Sequence, residues 1–304
     1  MFKRILVPLD GSNLAEQVLP YTRLLAEQFE ATLILFHVVE KDSPNAIHGQ
    51  HHLKEVAEAK AYLDQIAAQF ASEKVTILRD VHEVQEVGVA QTIKDHAEEL
   101  QTDLVVLCAH GRGGLRDMIF GSIAQQVIRQ GSIPVLFIRP SAVKDLTSNP
   151  ITHILLPLDG SNTHEVAIPV AVDLAARFKA RLLLMTVIPT SDTLSMKGAI
   201  AGRVSPRATA LSLEISAQQA EDYLQRIAND ILAQGVPVSG VVLRGNVQSK
   251  LIETIEAEGI DLVVMATHGH NAIDARWEAS LTPGFLPKTT VPVILVRAID
   301  EDGD

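Results

Sequence analysis

The chain contains itself twice. Ile5-Leu-Val-Pro-Leu-Asp-Gly-Ser-Asn13 returns 149 residues later as Ile154-Leu-Leu-Pro-Leu-Asp-Gly-Ser-Asn162, changed only where Val7 becomes Leu156. Asp103-Leu-Val-Val-Leu-Cys-Ala-His-Gly111 returns 158 residues later as Asp261-Leu-Val-Val-Met-Ala-Thr-His-Gly269, and Ile133-Pro-Val-Leu-Phe-Ile138 returns as Val291-Pro-Val-Ile-Leu-Val296 at the same spacing. Repetition at a fixed period means that one structural unit is used more than once, so the fold must be assembled from two near-equal copies. The length of 304 residues agrees, because ~150 residues is an ordinary domain. The expected domains are residues 1–140 and 151–299, followed by an acidic, solvated tail at residues 300–304. The second copy is nine residues longer. Eight of the nine fall between the Val38/Val187 and Gly88/Gly245 pairs, and the Ser, Thr, Gly, Ala and Pro content of residues 189–212 reads as a long loop or lid there.

Inside each copy, short apolar runs alternate with helical spacing. In the first, residues 3–8, 32–38, 104–108 and 135–138 are Val/Ile/Leu-rich runs of the buried-strand type. Residues 15–29, 53–70 and 89–100 read as helices, with Ser12 or Asn13 as N-cap of the first, and 123–129 continues as another. At least one strand is expected in 75–87. Strands alternating with helices imply a parallel sheet covered on both faces, so the fold class is α/β: two tandem doubly wound domains of Rossmann-like type. The strand that opens with Pro134-Val would lie at a sheet edge, where proline is tolerated. An exposed apolar edge is hazardous unless paired, which suggests an internal pseudo-dimer in which the two copies join edge to edge; a homodimer of whole chains stays open.

Composition narrows the function. With 26 basic against 37 acidic residues the formal charge is −11, which argues against a nucleic-acid binder but not against one anion in a locally neutralised pocket. No apolar run approaches the ~20 residues of a membrane helix, and no secretory leader is evident. A single cysteine, Cys108, excludes an intrachain disulfide and a four-cysteine zinc site. The expected compartment is the cytoplasm.

In an open parallel sheet, ligands bind beyond the carboxyl ends of the strands where strand order reverses. Two loops qualify if the first and fourth strands are neighbours. One is Pro8-Leu-Asp-Gly-Ser12, and the other is His110-Gly-Arg-Gly-Gly-Leu-Arg-Asp-Met-Ile-Phe-Gly-Ser122. Gly111, Gly113 and Gly114 let backbone N–H groups approach an anion. Gly121-Ser122 stands where a helix begins, a position that favours negative charge, and Arg112 and Arg116 supply local positive charge. Alone, such a loop is equally an ordinary capped glycine turn, and Asp10 equally a turn residue binding backbone N–H groups. Neither a Walker-type G-x-x-x-x-G-K-[ST] nor a dinucleotide fingerprint after the first strand is present.

The strand-Pro-x-Asp-Gly-Ser opening, the His37-Val38 ending of the second strand and the closing Gly-Ser-x₁₁-Pro-Val series resemble the universal stress protein family, in its tandem form. The resemblance covers nearly the whole chain, twice. The family's phosphate pattern is Gly-x₂-Gly-x₉-Gly-[Ser/Thr], met here from Cys108 to Ser122 except that Cys108 replaces the first glycine. The resemblance implies an ATP site, with magnesium as a candidate companion ion. Asp10 would lie by the adenine and ribose, and Val38 would meet the adenine edge through its backbone. Gly111 would approach ribose or phosphates, and Gly121 and Ser122 would hold the phosphates, with Arg112 beside them. It also implies dimerisation through the last strand, as single-domain members do. The function implied is an ATP-binding stress-response or signalling module, whose protein partner is unknown. The competing readings are a slow nucleotide hydrolase or phosphotransferase, and a nucleotide-free scaffold.

The second copy has drifted. Its pattern runs from Ala266 to Ala279-Ser280, without the first and last glycines, and Asp274 stands where Arg116 does. A carboxylate within ~5 Å of a phosphate is unfavourable by ~1 to 3 kcal/mol. One nucleotide per chain is therefore expected, in the first copy. His48, His51 and His52 read as exposed loop histidines rather than metal ligands, Cys108 as a small buried hydrophobe, and His110 and His268 as orienting groups. No catalytic constellation is evident.

Overall fold

The computed structural model describes residues 1–40, 46–47, 50–70, 74–84, 88–108, 122–140, 151–194, 205–267 and 284–298. These divide into two compact units, one holding residues 1–140 with Thr289–Arg297, the other residues 151–267, 284–288 and Ala298.

In the first unit the strands are β1 (Arg4–Pro8), β2 (Thr32–Glu40), β3 (Ile77–Val84), β4 (Leu104–Cys108) and β5 (Val135–Ile138), all parallel. The helices between them are α1 (Leu19–Phe29), α2 (Val56–Phe70), α3 (Val89–Glu99) and α4 (Ser122–Gln130). The sheet order is β5-β4-β1-β2-β3, so strand order reverses between β1 and β4. Ile5, Leu6, Val7, Leu104 and Val106 are fully buried, as expected of strands covered on both faces.

In the second unit β6 (His153–Pro157), β7 (Arg181–Ile188), β8 (Val238–Arg244) and β9 (Leu262–Thr267) form the parallel order β8-β7-β6-β9. Their helices are α5 (Ala167–Phe178), α6 (Pro206–Leu232) and α7 (Val247–Ala257). The fifth strand of the second copy, β10 (Val293–Arg297), lies in the first unit instead. It runs antiparallel to β5, in a register centred on Leu136 and Ile294. The strand opened by Pro134 is therefore covered rather than an open edge, and the first unit's sheet is mixed rather than purely parallel.

Two expectations change in detail. Residues 206–212, assigned to a loop, instead open a 27-residue α6 that starts at Pro206, and residues 195–204 of the same assignment lie outside the described residues. Proline is accommodated in a first helical turn, and Ala208, Ala210, Leu211 and Leu213 favour helix. The helix expected from Ala15 begins as a 3₁₀ turn, Ala15–Val18, before α1 starts at Leu19 with Pro20 in its first turn.

The repeated aspartates Asp103 and Asp261 act at the strand starts of their own units, opposite the β1 exit in the first and the β6 exit in the second. Asp103 Oδ2 accepts from the N–H groups of Lys3 and Arg4 at 2.7 and 2.9 Å. Asp261 Oδ2 accepts from those of Thr152 and His153 at 2.9 and 3.2 Å. They tie the starts of β1 and β6 to β4 and β9, a structural reason for recurring.

Candidate functional site

The turn leaving β1 is built from four residues. Gly11 takes φ +83°, a left-handed conformation that glycine adopts without a Cβ penalty. That reversal lets Asp10 Oδ1 accept from the Ser12 N–H at 2.9 Å and from the Ser12 hydroxyl at 2.6 Å. Ser12 is buried, and its Oγ in turn accepts from the Ala15 N–H at 3.1 Å, but the N-cap of the 3₁₀ turn is Leu14 rather than the expected Ser12 or Asn13. Asp10 thus performs the turn role open to it.

The β4 exit meets this turn. β1 and β4 are in register as Ile5↔Leu104 and Leu6↔Val105, and the Cys108 thiol donates to the Leu14 carbonyl at 2.9 Å. Burial, with the nearby Asp10 charge, pushes the Cys108 thiol up to about 12, so it is a packing and donor group rather than a nucleophile. On the other side of β1, β2 runs further than its neighbour. The β1 ladder ends at Pro8↔Phe36, whereas the β3 ladder continues through Val38↔His82 to Glu40↔Val84. Among the described residues, β2 past Phe36 has a strand partner on one side only. Val38 stands on this stretch with its side chain buried.

Three further side chains frame the turn, none of them assigned a role by sequence pattern. His37 is buried, with Nδ1 2.7 Å from the Leu9 carbonyl and Nε2 3.4 Å from the Leu53 carbonyl. Burial holds its imidazole below the ordinary 6.5, helped by His52 and opposed by the two carbonyls and Asp10. His52, read as an exposed loop residue, is buried at 2% exposure. Tyr62 of α2 donates to Glu16 Oε1 at 3.1 Å, and burial with the charges of Glu16 and Asp10 raises its phenol well above the ordinary value.

Asp10 and Val38 therefore flank the exit of β1, while Ser122 opens α4, which begins where the sequence places it. Gly111, Arg112 and Gly121, with Arg116 and His110, lie outside the described residues, as do His268, Asp274 and Ala279 of the second copy. Among the described residues, no group of three or more His, Cys, Asp or Glu side chains could hold a metal ion. Nor is any described helix long and apolar enough to cross a membrane.

The second unit repeats the turn with a different occupant. Gly160 also takes φ +83°, and Asp159 Oδ1 accepts from the Ser161 N–H at 2.9 Å. Asp159 Oδ2, however, lies 2.7 Å from His164 Nδ1. Burial pushes this carboxyl upward, but the His164 and Ser161 hydrogen bonds and the His164 charge outweigh it and bring the group down to about 2. His164 stands in the place of Ala15, and its five-residue separation from Asp159 in a turn follows no helical or strand period. Thr186 stands in the place of His37, and its hydroxyl donates to the Leu158 carbonyl at 2.9 Å.

The model of the universal stress protein family matches residues 1–139 and again 150–297. A universal stress protein of Synechocystis sp. is 24% identical over 316 residues, taking in 97% of this chain and 100% of that one. A universal stress protein of Mycobacterium tuberculosis is 28% identical over 199 residues, 65% of this chain and 62% of that relative's length. Among solved structures, a universal stress protein of Archaeoglobus fulgidus shares the fold with a TM-score of 0.70 at 13% identity, covering 98% of this chain and 97% of that one. With both copies matched over nearly their whole length, the chain belongs to the universal stress protein family.

Proposed function

We propose that the first copy binds one adenine nucleotide, ATP with magnesium as its companion ion, and that the chain is a cytoplasmic stress-response or signalling module rather than a fast enzyme. The observation that carries this reading is the junction of the β1 and β4 exits, where the Cys108 thiol bonds the Leu14 carbonyl beside the Asp10 turn. That junction sits where strand order reverses, the usual ligand position in an open α/β sheet. The chain leaving β4 there carries Gly111, Arg112 and Gly121 directly into Ser122 at the start of α4. Glycine amides, a guanidinium and a helix N-terminus together suit a polyphosphate. Val38, on the stretch of β2 that outruns β1, has main-chain groups suited to an adenine edge, and Asp10 offers a carboxylate to ribose hydroxyls. In the second copy His164 engages Asp159, which supports one site per chain.

The test is calorimetric titration with Mg-ATP. Submillimolar affinity is expected, weakened about tenfold or more by Asp10→Ala, the loss of a charged hydrogen-bond acceptor. Arg112→Ala weakens it as well. Absence of binding up to millimolar ATP overturns the reading in favour of a scaffold. ATP turnover faster than ~1 s⁻¹ overturns it in favour of a hydrolase.

A further inference from the structure

In both copies a polar side chain reaches from the second strand to the carbonyl that precedes the repeated aspartate. In the first it is the His37 imidazole on the Leu9 carbonyl at 2.7 Å, and in the second the Thr186 hydroxyl on the Leu158 carbonyl at 2.9 Å. The two residues are unlike in size and ring character, yet the bond is kept. Both are buried, so a carbonyl left without its donor would be desolvated at no return. The same carbonyl's residue also donates its N–H to the second strand, Leu9 to Phe36 and Leu158 to Met185, each at 2.8 Å. Each turn is thus gripped at the peptide groups on both sides of Leu9 or Leu158, one by the main chain and one by a side chain.

We infer that His37 is a positioning residue for the candidate nucleotide site, fixing the Asp10 turn through the Leu9 carbonyl. Its shorter contact assigns Nδ1–H as donor to Leu9. Its other nitrogen faces the Leu53 carbonyl at 3.4 Å, and the Leu53 side chain lies so close to Gly11 that a Cβ there would stand 3.0 Å from Leu53 Cδ1. With its one N–H given to Leu9, His37 hydrogen-bonds the floor of the turn and meets its cover by packing alone. Thr186 has a single hydroxyl and makes the floor contact alone. The assignment of a ligand to this turn rests on the nucleotide reading, whereas the grip on the turn does not.

The experiment measures amide hydrogen exchange at Ser12 and Ala15, whose N–H groups are held by Asp10 Oδ1 and Ser12 Oγ, in His37→Ala and His37→Thr. His37→Ala is expected to speed exchange at these two amides about tenfold, the scale of one lost hydrogen bond. His37→Thr, the second copy's own solution, is expected to restore most of the protection. ATP affinity is expected to follow the same order. Thr186→Ala, which is expected to loosen the Ser161 amide in the same way, keeps the inference testable if His37→Ala does not fold. Unchanged protection in the alanine variants, or no rescue by threonine, overturns the inference. If wild-type protein binds no ATP while the exchange pattern holds, the nucleotide reading falls and the positioning role stands.

Discussion

Gly11 and Gly160 make a matched pair for testing what the repeated turn demands of a residue. Both stand at φ +83°, but a Cβ on Gly11 would meet Leu53 Cδ1 at 3.0 Å, whereas one on Gly160 would meet nothing within 4 Å. Gly160→Ala should therefore cost only the backbone strain of a left-handed residue, ~1 to 2 kcal/mol, and Gly11→Ala that strain plus displacement of Leu53. Urea melts of the two variants should show the larger loss for Gly11→Ala. Asp159 makes a second prediction. Its carboxyl lies at about 2 in the folded chain against an ordinary 3.8, so the charged form is favoured by folding. The stabilisation is present above pH ~4 and is lost as pH falls from there toward about 2. Because its side chain is 55% exposed, the gain is screened and small. NMR titration should place the Asp159 carboxyl near 2, and His164→Ala should return it toward 3.8. At this scale the sequence exposes Asp10 and Asp159, because they repeat in turn motifs. It shows His37 in the His37-Val38 motif but hides its bond to the Leu9 carbonyl, and it hides the burial of His52.

At the scale of elements, the pairing of β5 with β10 carries the sharpest consequence. Val135, Leu136, Phe137 and Ile138 are all buried, with β10 alongside. Arg139 donates to the Thr289 carbonyl at 2.7 Å, and Arg297, its counterpart 158 residues on, donates to the Gly131 carbonyl at 2.8 Å. Arg139 is 6% exposed, and burial lowers its guanidinium below the ordinary value, so its buried N–H groups need acceptors such as the Thr289 carbonyl. Arg139→Ala should destabilise the protein by about 1.5 to 3 kcal/mol, read by thermal or urea unfolding. Truncation before Thr289 should leave β5 as an apolar edge, seen as loss of monodisperse protein on size-exclusion chromatography. The strands 104–108 and 135–138 are legible in the sequence to the residue, since short Val/Ile/Leu runs admit little else. The start of α6 is not, because Ser, Ala and Thr around residues 205–212 suit a loop as well as a helix until packing decides. Ile188, Ala217 and Ala220, with Leu213 and Val242, form that packing.

For the molecule as a whole, the duplication fixes the architecture and the differences between copies fix the expected function. Ile5–Asn13 and Ile154–Asn162 fold into the same turn, with the same glycine conformation and the same carboxylate-to-serine bond. The copies then part: His37 against Thr186, Ala15 against His164, Cys108 against Ala266, and Arg116 against Asp274. Repetition made the fold legible, because a second copy checks every assignment in the first. The proposed loss of the nucleotide site in the second copy is only partly legible, as Asp274 and Ala279 show in sequence while the Asp159–His164 contact depends on three-dimensional placement. The most direct test is native mass spectrometry of the intact chain in excess ATP and magnesium. One nucleotide mass per chain at saturation, with the half-saturating ATP concentration raised about tenfold or more by Asp10→Ala, is the predicted result. Two nucleotides per chain, or none, would contradict it.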